Sequence, residues 1–191
     1  FLTKVTLSEK KHAEVVEELK DQLAEGKIEK NESNTQVRPQ DQTIYAPADG
    51  KLMKMAEVID EDGKPFPGKG FAIKPDSGNI YAPFDGVVRF TFGTKHAFEI
   101  VSNNGLQVVV HVGLGTVNLR GEGFETYYDD GQKVKKGDLL LEFDRNLALK
   151  NGYQDTVVTF YTQPGRIVKS SEIEAGKIVE HGEKVLDVQF K

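Results

Sequence analysis

The sequence predicts an all-β fold: an antiparallel β-sandwich or barrel of two similar halves, preceded by a short N-terminal helix and a linker. From about residue 43, short apolar alternations are separated by glycine, proline and asparagine turn signals about every 8–12 residues, as in sandwiches and barrels. Two pairs of segments also resemble each other, which indicates two similar halves. These pairs are TIYAPADGKL (43–52) with NIYAPFDGVV (79–88), and GQKVKKGDLLLEFD (131–144) with GKIVEHGEKVLDVQF (176–190).

The composition of the chain is that of an ordinary globular domain. Its 191 residues are 38% hydrophobic and 29% charged, which is enough to bury a sizeable core. The net charge of −5 argues against nucleic acid as a partner, and the absence of cysteine excludes disulfides and thiol chemistry. No apolar run approaches the roughly 18 residues of a membrane span. Because the chain begins with Phe1 and lacks a signal peptide, we expect it to be a piece of a longer protein.

The first part of the chain differs in character from the rest. TLSE, from Thr6 to Glu9, fits a helix-capping box, and the amphipathic run that follows ends at Gly26. A polar stretch without periodicity comes next and has the composition of a linker. We therefore predict a tether helix (1–30), a linker (31–42) and a β-domain (43–191).

Two histidines flank a predicted β-hairpin, HAFEIVSNNGLQVVVHVG. Its SNNG turn supplies the asparagine and glycine that positive φ angles favour. A hairpin loop of two or four residues would place His96 directly opposite His111, on the same face, with Cβ atoms about 4.5–5.5 Å apart. A three-residue loop would shift the register by one residue and separate them. The sequence favours the first arrangement.

An apposed histidine pair is compatible with three chemistries. A metal pair is the first, although a catalytic zinc takes about three protein ligands and the sequence offers no obvious third one. General acid–base catalysis is the second, and it would require a neighbouring carboxylate or nucleophile. In the third, one imidazole accepts a phosphoryl group while the other donates a hydrogen bond to its oxygens. Two partly exposed histidines without a chemical role remain the plain alternative.

Six motifs occur in an order that resembles the glucose-type enzyme IIA domain of the sugar phosphotransferase system. They are GKGFAIKP, YAPFDGVV, TKHAFEI, VVVHVGLGTVNLRGEGF, GQKVKKGDLLLEFD and NGYQDTVV. The resemblance runs from about Thr43 to the C-terminus and implies an antiparallel β-sandwich that needs no cofactor. It also implies that His111 is phosphorylated by the phosphocarrier HPr, that His96 supports the phosphoryl group, and that Thr94 orients His96.

The surroundings of His111 yield two further expectations. We predict that Phe92, Val109 and Val112 form part of an apolar surface that excludes water from the phosphohistidine and docks a partner, the alternative being plain core packing. Two positions depart from the family pattern: Gly115 stands in place of an aspartate, and Lys69 stands in place of another acid. If both lie near His111, we expect less negative charge there and a more stable phosphoryl form.

The N-terminal segment VTLSEKKHAEVVEELKDQL resembles the cytoplasmic tail of sugar–cation symporters of the glycoside–pentoside–hexuronide family. Lactose permeases of that family can carry a C-terminal IIA-like domain. This implies a phosphocarrier and regulatory domain tethered to a permease membrane domain at the cytoplasmic face of the cell membrane. One alternative is a fused phosphotransferase permease that passes phosphate to a IIB domain. Another is an interaction module that is never phosphorylated.

Overall fold

The computed structural model describes residues 39–91 and 93–191. The predicted tether helix, most of the predicted linker and Phe92 lie outside the described residues. No helix in the two described ranges is long and apolar enough to cross a membrane. The first strand begins at Gln40, inside the segment predicted as linker, because its backbone pairs with that of the last strand.

Within the described residues the chain forms fourteen strands and one short α-helix, with antiparallel pairing throughout. The helix α1 (Arg145–Lys150) follows the tenth strand, and its N-cap Asp144 accepts a hydrogen bond from the Leu147 backbone N–H. The strands are β1 (Gln40–Tyr45), β2 (Gly50–Lys54), β3 (Gly70–Pro75), β4 (Asn79–Tyr81), β5 (Gly86–Thr91), β6 (Ala97–Ser102), β7 (Gln107–Leu114), β8 (Phe124–Thr126), β9 (Lys133–Val134), β10 (Leu139–Phe143), β11 (Gln154–Tyr161), β12 (Ile167–Ser170), β13 (Ile178–Val179) and β14 (Lys184–Phe190).

The strands form one large sheet and two small ones. The large sheet has eight strands in the order β13-β2-β3-β11-β7-β6-β5-β9. The small sheets have the orders β1-β14-β12 and β4-β10-β8. All three sheets contribute side chains to one main hydrophobic cluster. The predicted all-β, antiparallel sandwich is therefore confirmed.

The order of the large sheet reads the same from either edge, with β13-β2-β3-β11 matching β9-β5-β6-β7. The register confirms the equivalence: Gly50 pairs with Pro75 as Gly86 pairs with Ser102. At both glycines a side chain would collide with the partner strand, since an added methyl group would lie 2.1 Å from a carbonyl oxygen. The two repeated Asp-Gly motifs thus occupy equivalent close crossings, and the predicted two similar halves are present.

The equivalence of the halves extends to the strands at the centre of the sheet. Phe160 of β11 occupies the position that His111 occupies in β7. Lys69, directly before β3, likewise occupies the position of His96, directly before β6. The histidine pair therefore belongs to one half only, and the other half has a lysine and a phenylalanine in its place.

Candidate functional site

The β6–β7 hairpin has a different register from the predicted one. Ala97, and not His96, lies directly opposite His111. Ser102 donates its backbone N–H to the Leu106 carbonyl, at 2.8 Å, which leaves three residues in the loop instead of two or four. The Leu106 N–H in turn donates to the Ser102 hydroxyl at 2.9 Å, and this side-chain contact stabilises the three-residue loop. The predicted register was therefore wrong by one residue.

The two histidine rings meet nevertheless, because His96 lies outside the ladder. It follows Lys95, whose φ of 59° places that residue in the left-handed region and interrupts the extended backbone. The His96 carbonyl still accepts the Val112 N–H at 2.7 Å, so β7 fixes its position. The ring centroids of His96 and His111 are 4.9 Å apart, with their planes at 82°. The predicted contact is present, but it arises from this turn instead of a direct cross-strand pair.

Hydrogen bonds fix the orientation of both rings. Nδ1 of His111 lies 2.8 Å from the carbonyl oxygen of Gly113. Because a carbonyl oxygen only accepts, Nδ1 carries the proton, and the neutral ring has its lone pair on Nε2. Nδ1 of His96 lies 2.6 Å from the hydroxyl of Thr94, so Nε2 is the nitrogen that this ring directs to other groups. His96 is buried, whereas His111 is partly exposed.

The turn after His111 needs glycine for two reasons. Gly113 has a φ of 77°, and an added methyl group would lie 2.3 Å from the Thr116 side chain. The hydroxyl of Thr116 donates to the Val112 carbonyl at 2.7 Å and closes the turn. This arrangement places the Gly113 carbonyl where it accepts the His111 Nδ1–H. The glycine of the HVG motif is therefore needed to orient the His111 imidazole.

A small apolar cluster lies beside His111, apart from the main core. The Phe66 ring lies 6.0 Å from the His111 ring and 5.5 Å from the Phe160 ring, centroid to centroid. Val109, two residues before His111 on β7, belongs to the same cluster. Sequence reasoning missed both phenylalanines. Phe160 could have been found by aligning the two halves, but Phe66 sits in a loop without a periodic signal.

The three predicted docking residues have different positions. Val109 lies in the cluster beside His111, with 3% of its surface exposed. Val112 has 0% exposure and packs in the main core, so we leave it out of the proposed docking surface. Phe92 lies outside the described residues.

The two departures from the family pattern lie at different distances from His111. Gly115 is close to it, in the turn that begins at Gly113. The backbone carbonyl of Lys69 accepts the Tyr161 N–H, so Lys69 lies beside Tyr161 of β11. His111 of β7 pairs with Val158 of β11, so Lys69 is two strands away from His111 and displaced by three residues along the strand direction. With strand spacings of about 4.8 Å and a rise of about 3.4 Å per residue, the Cα atoms are about 14 Å apart. The expectation of a lysine directly beside His111 is therefore not supported by the backbone.

The metal alternative finds no further ligand in the part of the chain that the structure describes. Among residues 39–91 and 93–191, no group of three or more histidine, cysteine, aspartate or glutamate side chains could hold a metal ion. The two rings are instead held by a threonine hydroxyl and a backbone carbonyl. This arrangement suits a histidine pair that handles an anionic group.

The β-sandwich and the histidine pair are the features expected of a IIA domain, and comparison with known proteins agrees. The family profile described as phosphoenolpyruvate-dependent sugar phosphotransferase system, EIIA 1, matches residues 42–167. The chain belongs to this family, whose members are phosphotransferase intermediates. The solved structure of glucose permease IIA from Mycoplasma capricolum has 33% identity and a TM-score of 0.70, and the match covers 78% of this chain and 96% of that one. The predicted family resemblance is confirmed.

Two transporters are similar to the chain over its whole length. It is 75% identical over 191 residues to the lactose permease of Lactobacillus helveticus, covering 100% of this chain and 30% of that protein. It is 48% identical over 191 residues to the lactose permease of Leuconostoc lactis, covering 100% of this chain and 29% of that protein. The chain thus spans less than a third of the length of these relatives.

Proposed function

We propose that this domain is a phosphohistidine carrier attached to a sugar permease, and that His111 accepts the phosphoryl group from phospho-HPr. The observation that carries the proposal is the orientation of the His111 ring. Its Nδ1 is hydrogen-bonded to the Gly113 carbonyl, so its lone pair is on Nε2. The centroid of the His96 ring lies 4.9 Å from that of the His111 ring. Family membership supports the same reading.

The transfer is a direct displacement at phosphorus. Nε2 of His111 attacks the phosphorus on the donor histidine, and the new N–P bond forms as the donor N–P bond breaks. The protonated donor ring leaves as a neutral imidazole. The His111 ring, still protonated on Nδ1, takes up the positive charge beside the Gly113 carbonyl, which stabilises it.

His96 acts on the phosphoryl oxygens in this proposal. In this proposal the Thr94 hydroxyl, 2.6 Å from Nδ1 of His96, donates to that nitrogen and leaves the proton on Nε2. Nε2–H then donates to a phosphoryl oxygen and offsets its charge in the transition state. Because His96 is 1% exposed, its ring is held by packing before the donor arrives.

The apolar cluster lies beneath the proposed docking surface around His111, since Phe66, Phe160 and Val109 are only 8%, 6% and 3% exposed. Phe66, Phe160 and Val109 flank the partly exposed His111 and exclude water from the phosphoryl group once it is formed. The same surface would bind HPr and then the next partner. In a symporter, that partner is the permease membrane domain at the cytoplasmic face of the membrane, and phosphorylation regulates transport. In a fused phosphotransferase permease, it is a IIB domain that takes the phosphoryl group.

Phosphorylation by purified components tests the proposal. Wild-type domain is incubated with phosphoenolpyruvate, enzyme I and HPr, and acid-labile phosphate on the domain is measured. We expect labelling of the wild type and none of His111→Ala, because the nucleophile is removed. His96→Ala should still accept phosphate, more slowly than the wild type, and should pass it on poorly, since this ring stabilises the transferred group. An unlabelled wild type would instead support the interaction module, and equal loss of the first transfer in both variants would contradict the separate roles.

A further inference from the structure

A carboxylate from a neighbouring loop lies at the turn that orients His111. The loop connecting β2 to β3 contains Glu61, whose Oε1 lies 3.3 Å from the point where a Cβ on Gly115 would be. Gly115 follows Gly113, whose carbonyl accepts the His111 Nδ1–H. By chain geometry, the carboxylate therefore lies on the order of 10 Å from the His111 ring.

A side chain at Gly115 would be strained in this chain. Its φ of 78° is a conformation that side chains rarely adopt, and an added methyl group would lie 2.7 Å from Cδ1 of Tyr153. An aspartate at this position would thus strain the backbone and displace the tyrosine ring. With glycine at position 115, the carboxylate that lies at this end of the site is that of Glu61.

The loop that carries Glu61 is held in place on both sides of this residue. Asp60 Oδ1 accepts the backbone N–H groups of Asp62 and Lys64, both at 2.9 Å. The Gln154 side chain donates to the Ile59 carbonyl at 2.8 Å and ties the loop to β11. The same loop also carries Phe66, whose ring lies 6.0 Å from that of His111. These hydrogen bonds position the backbone that carries Glu61 beside the turn after His111.

We propose that Glu61 tunes the phosphoryl-transfer equilibrium of His111, by repelling the phosphoryl group and favouring its onward transfer. This inference rests on the proposed phosphocarrier function. The phosphoryl group carries up to about two negative charges and the protonated ring one positive charge, so transfer adds about one net negative charge. At about 10 Å in a water-like dielectric, one carboxylate then changes the equilibrium by about twofold at low salt. The effect should disappear at about 1 M salt, where the screening length is about 3 Å.

The equilibrium between phospho-HPr and the phosphorylated domain tests this role. Glu61→Gln keeps the shape of the side chain and removes its charge, while Glu61→Asp keeps the charge. Glu174→Gln is the matched control, because it makes the same charge change beside β13, at the far edge of the large sheet. Labelled phosphate is allowed to equilibrate between the two proteins at about 0.01 M and about 1 M salt, and its distribution is measured. Thermal unfolding of each variant reports any structural effect.

The outcomes separate this inference from the function on which it rests. We expect Glu61→Gln to favour the phosphorylated domain about twofold at low salt and not at high salt. Glu61→Asp and Glu174→Gln should match the wild type. If Glu61→Gln equals Glu174→Gln at low salt, or favours phospho-HPr, the role of Glu61 is wrong while the carrier function stands. If the wild type accepts no phosphate at all, the proposed function itself fails.

Discussion

At the scale of single residues, two hydrogen bonds decide which nitrogen of each histidine takes part in chemistry. The Gly113 carbonyl holds Nδ1 of His111, and the Thr94 hydroxyl holds Nδ1 of His96. The sequence predicted both histidines and the threonine, since the residues around them form recognisable motifs. It could not predict the position of Glu61 or the contact of Phe66 with His111, because both depend on where a loop between β2 and β3 folds back.

The contact between Thr94 and His96 supports a prediction about transfer rate. In Thr94→Val the hydroxyl is lost and the size of the side chain is kept, so the His96 ring can rotate or change tautomer. Loss of one such bond, worth about 1–1.5 kcal/mol, should slow phosphoryl transfer by about tenfold. Rapid-mixing measurement of transfer from phospho-HPr gives the rate. Thr94→Ser retains the hydroxyl and should restore most of it, and a full rate in Thr94→Val would contradict the orienting role.

At the scale of elements, loop length decided where prediction from sequence failed. The strands of the β6–β7 hairpin and the place of its turn were predicted correctly, but the loop length and the register were not. The Ser102 hydroxyl accepts a hydrogen bond from the Leu106 N–H and donates one to Oδ1 of Asn104 at 2.5 Å. These contacts favour a three-residue loop. Nothing in the residue alternation distinguishes that loop from a two- or four-residue one. Only the left-handed Lys95 brings His96 back to His111.

A buried carboxylate ties α1, β3 and β11 together. Asp155 has no exposed side-chain surface, contacts the Lys74 ammonium, and accepts from Arg145 at 2.8 and 3.0 Å. Burial by itself would raise the pKa of Asp155, but the hydrogen bonds from Lys74 and Arg145 outweigh burial and hold the pKa below its ordinary value. The lowered pKa means that the folded state favours the ionised carboxylate.

The lowered pKa of Asp155 predicts a dependence of stability on pH. The ionised Asp155 contributes fully to the free energy of unfolding above the unfolded-state pKa of about 3.9. This contribution is lost as pH falls through the lower pKa of the folded state. Asp155→Asn should lose about 2 kcal/mol of unfolding free energy at neutral pH, less than for a fully buried pair because Lys74 is 51% exposed. Denaturant unfolding between about pH 7 and pH 2 measures this. The variant should lose less stability than the wild type below about pH 4, and parallel curves would contradict the assignment.

At the scale of the whole molecule, the large sheet consists of two similar halves, and the histidine pair belongs to only one of them. The internal repeats predicted the two halves, because the repeated Asp-Gly motifs make equivalent contacts in each half. Asp49 accepts the backbone N–H of His181 at 2.6 Å, as Asp85 accepts that of Lys136 at 2.7 Å. The same symmetry places Phe160 beside the site, which single motifs did not reveal. More of the fold than of the site could be predicted from the sequence, because the site also depends on contacts made by loops.

The start of β1 leads to a prediction about the segment before it. Gln40 pairs with Phe190, so the folded domain needs the chain from about this residue onward. Removal of residues 1–38 should leave the melting temperature of the β-domain nearly unchanged, because a tether and linker bury little core. Removal of residues 1–45 takes away all of β1 and should lower it by many degrees. A loss of several degrees on removal of 1–38 would mean that this segment packs on the sandwich.

The central claim is that Nε2 of His111 is the phosphoryl acceptor, and nuclear magnetic resonance tests it most directly. The domain is labelled with ¹⁵N in its histidines, phosphorylated with enzyme I and HPr, and examined for coupling between ³¹P and ring nitrogen. We predict that the phosphorus couples to Nε2 of His111, with Nδ1 still protonated and bound to the Gly113 carbonyl. Coupling to Nδ1, or to a ring nitrogen of His96 or any other histidine, would contradict the account.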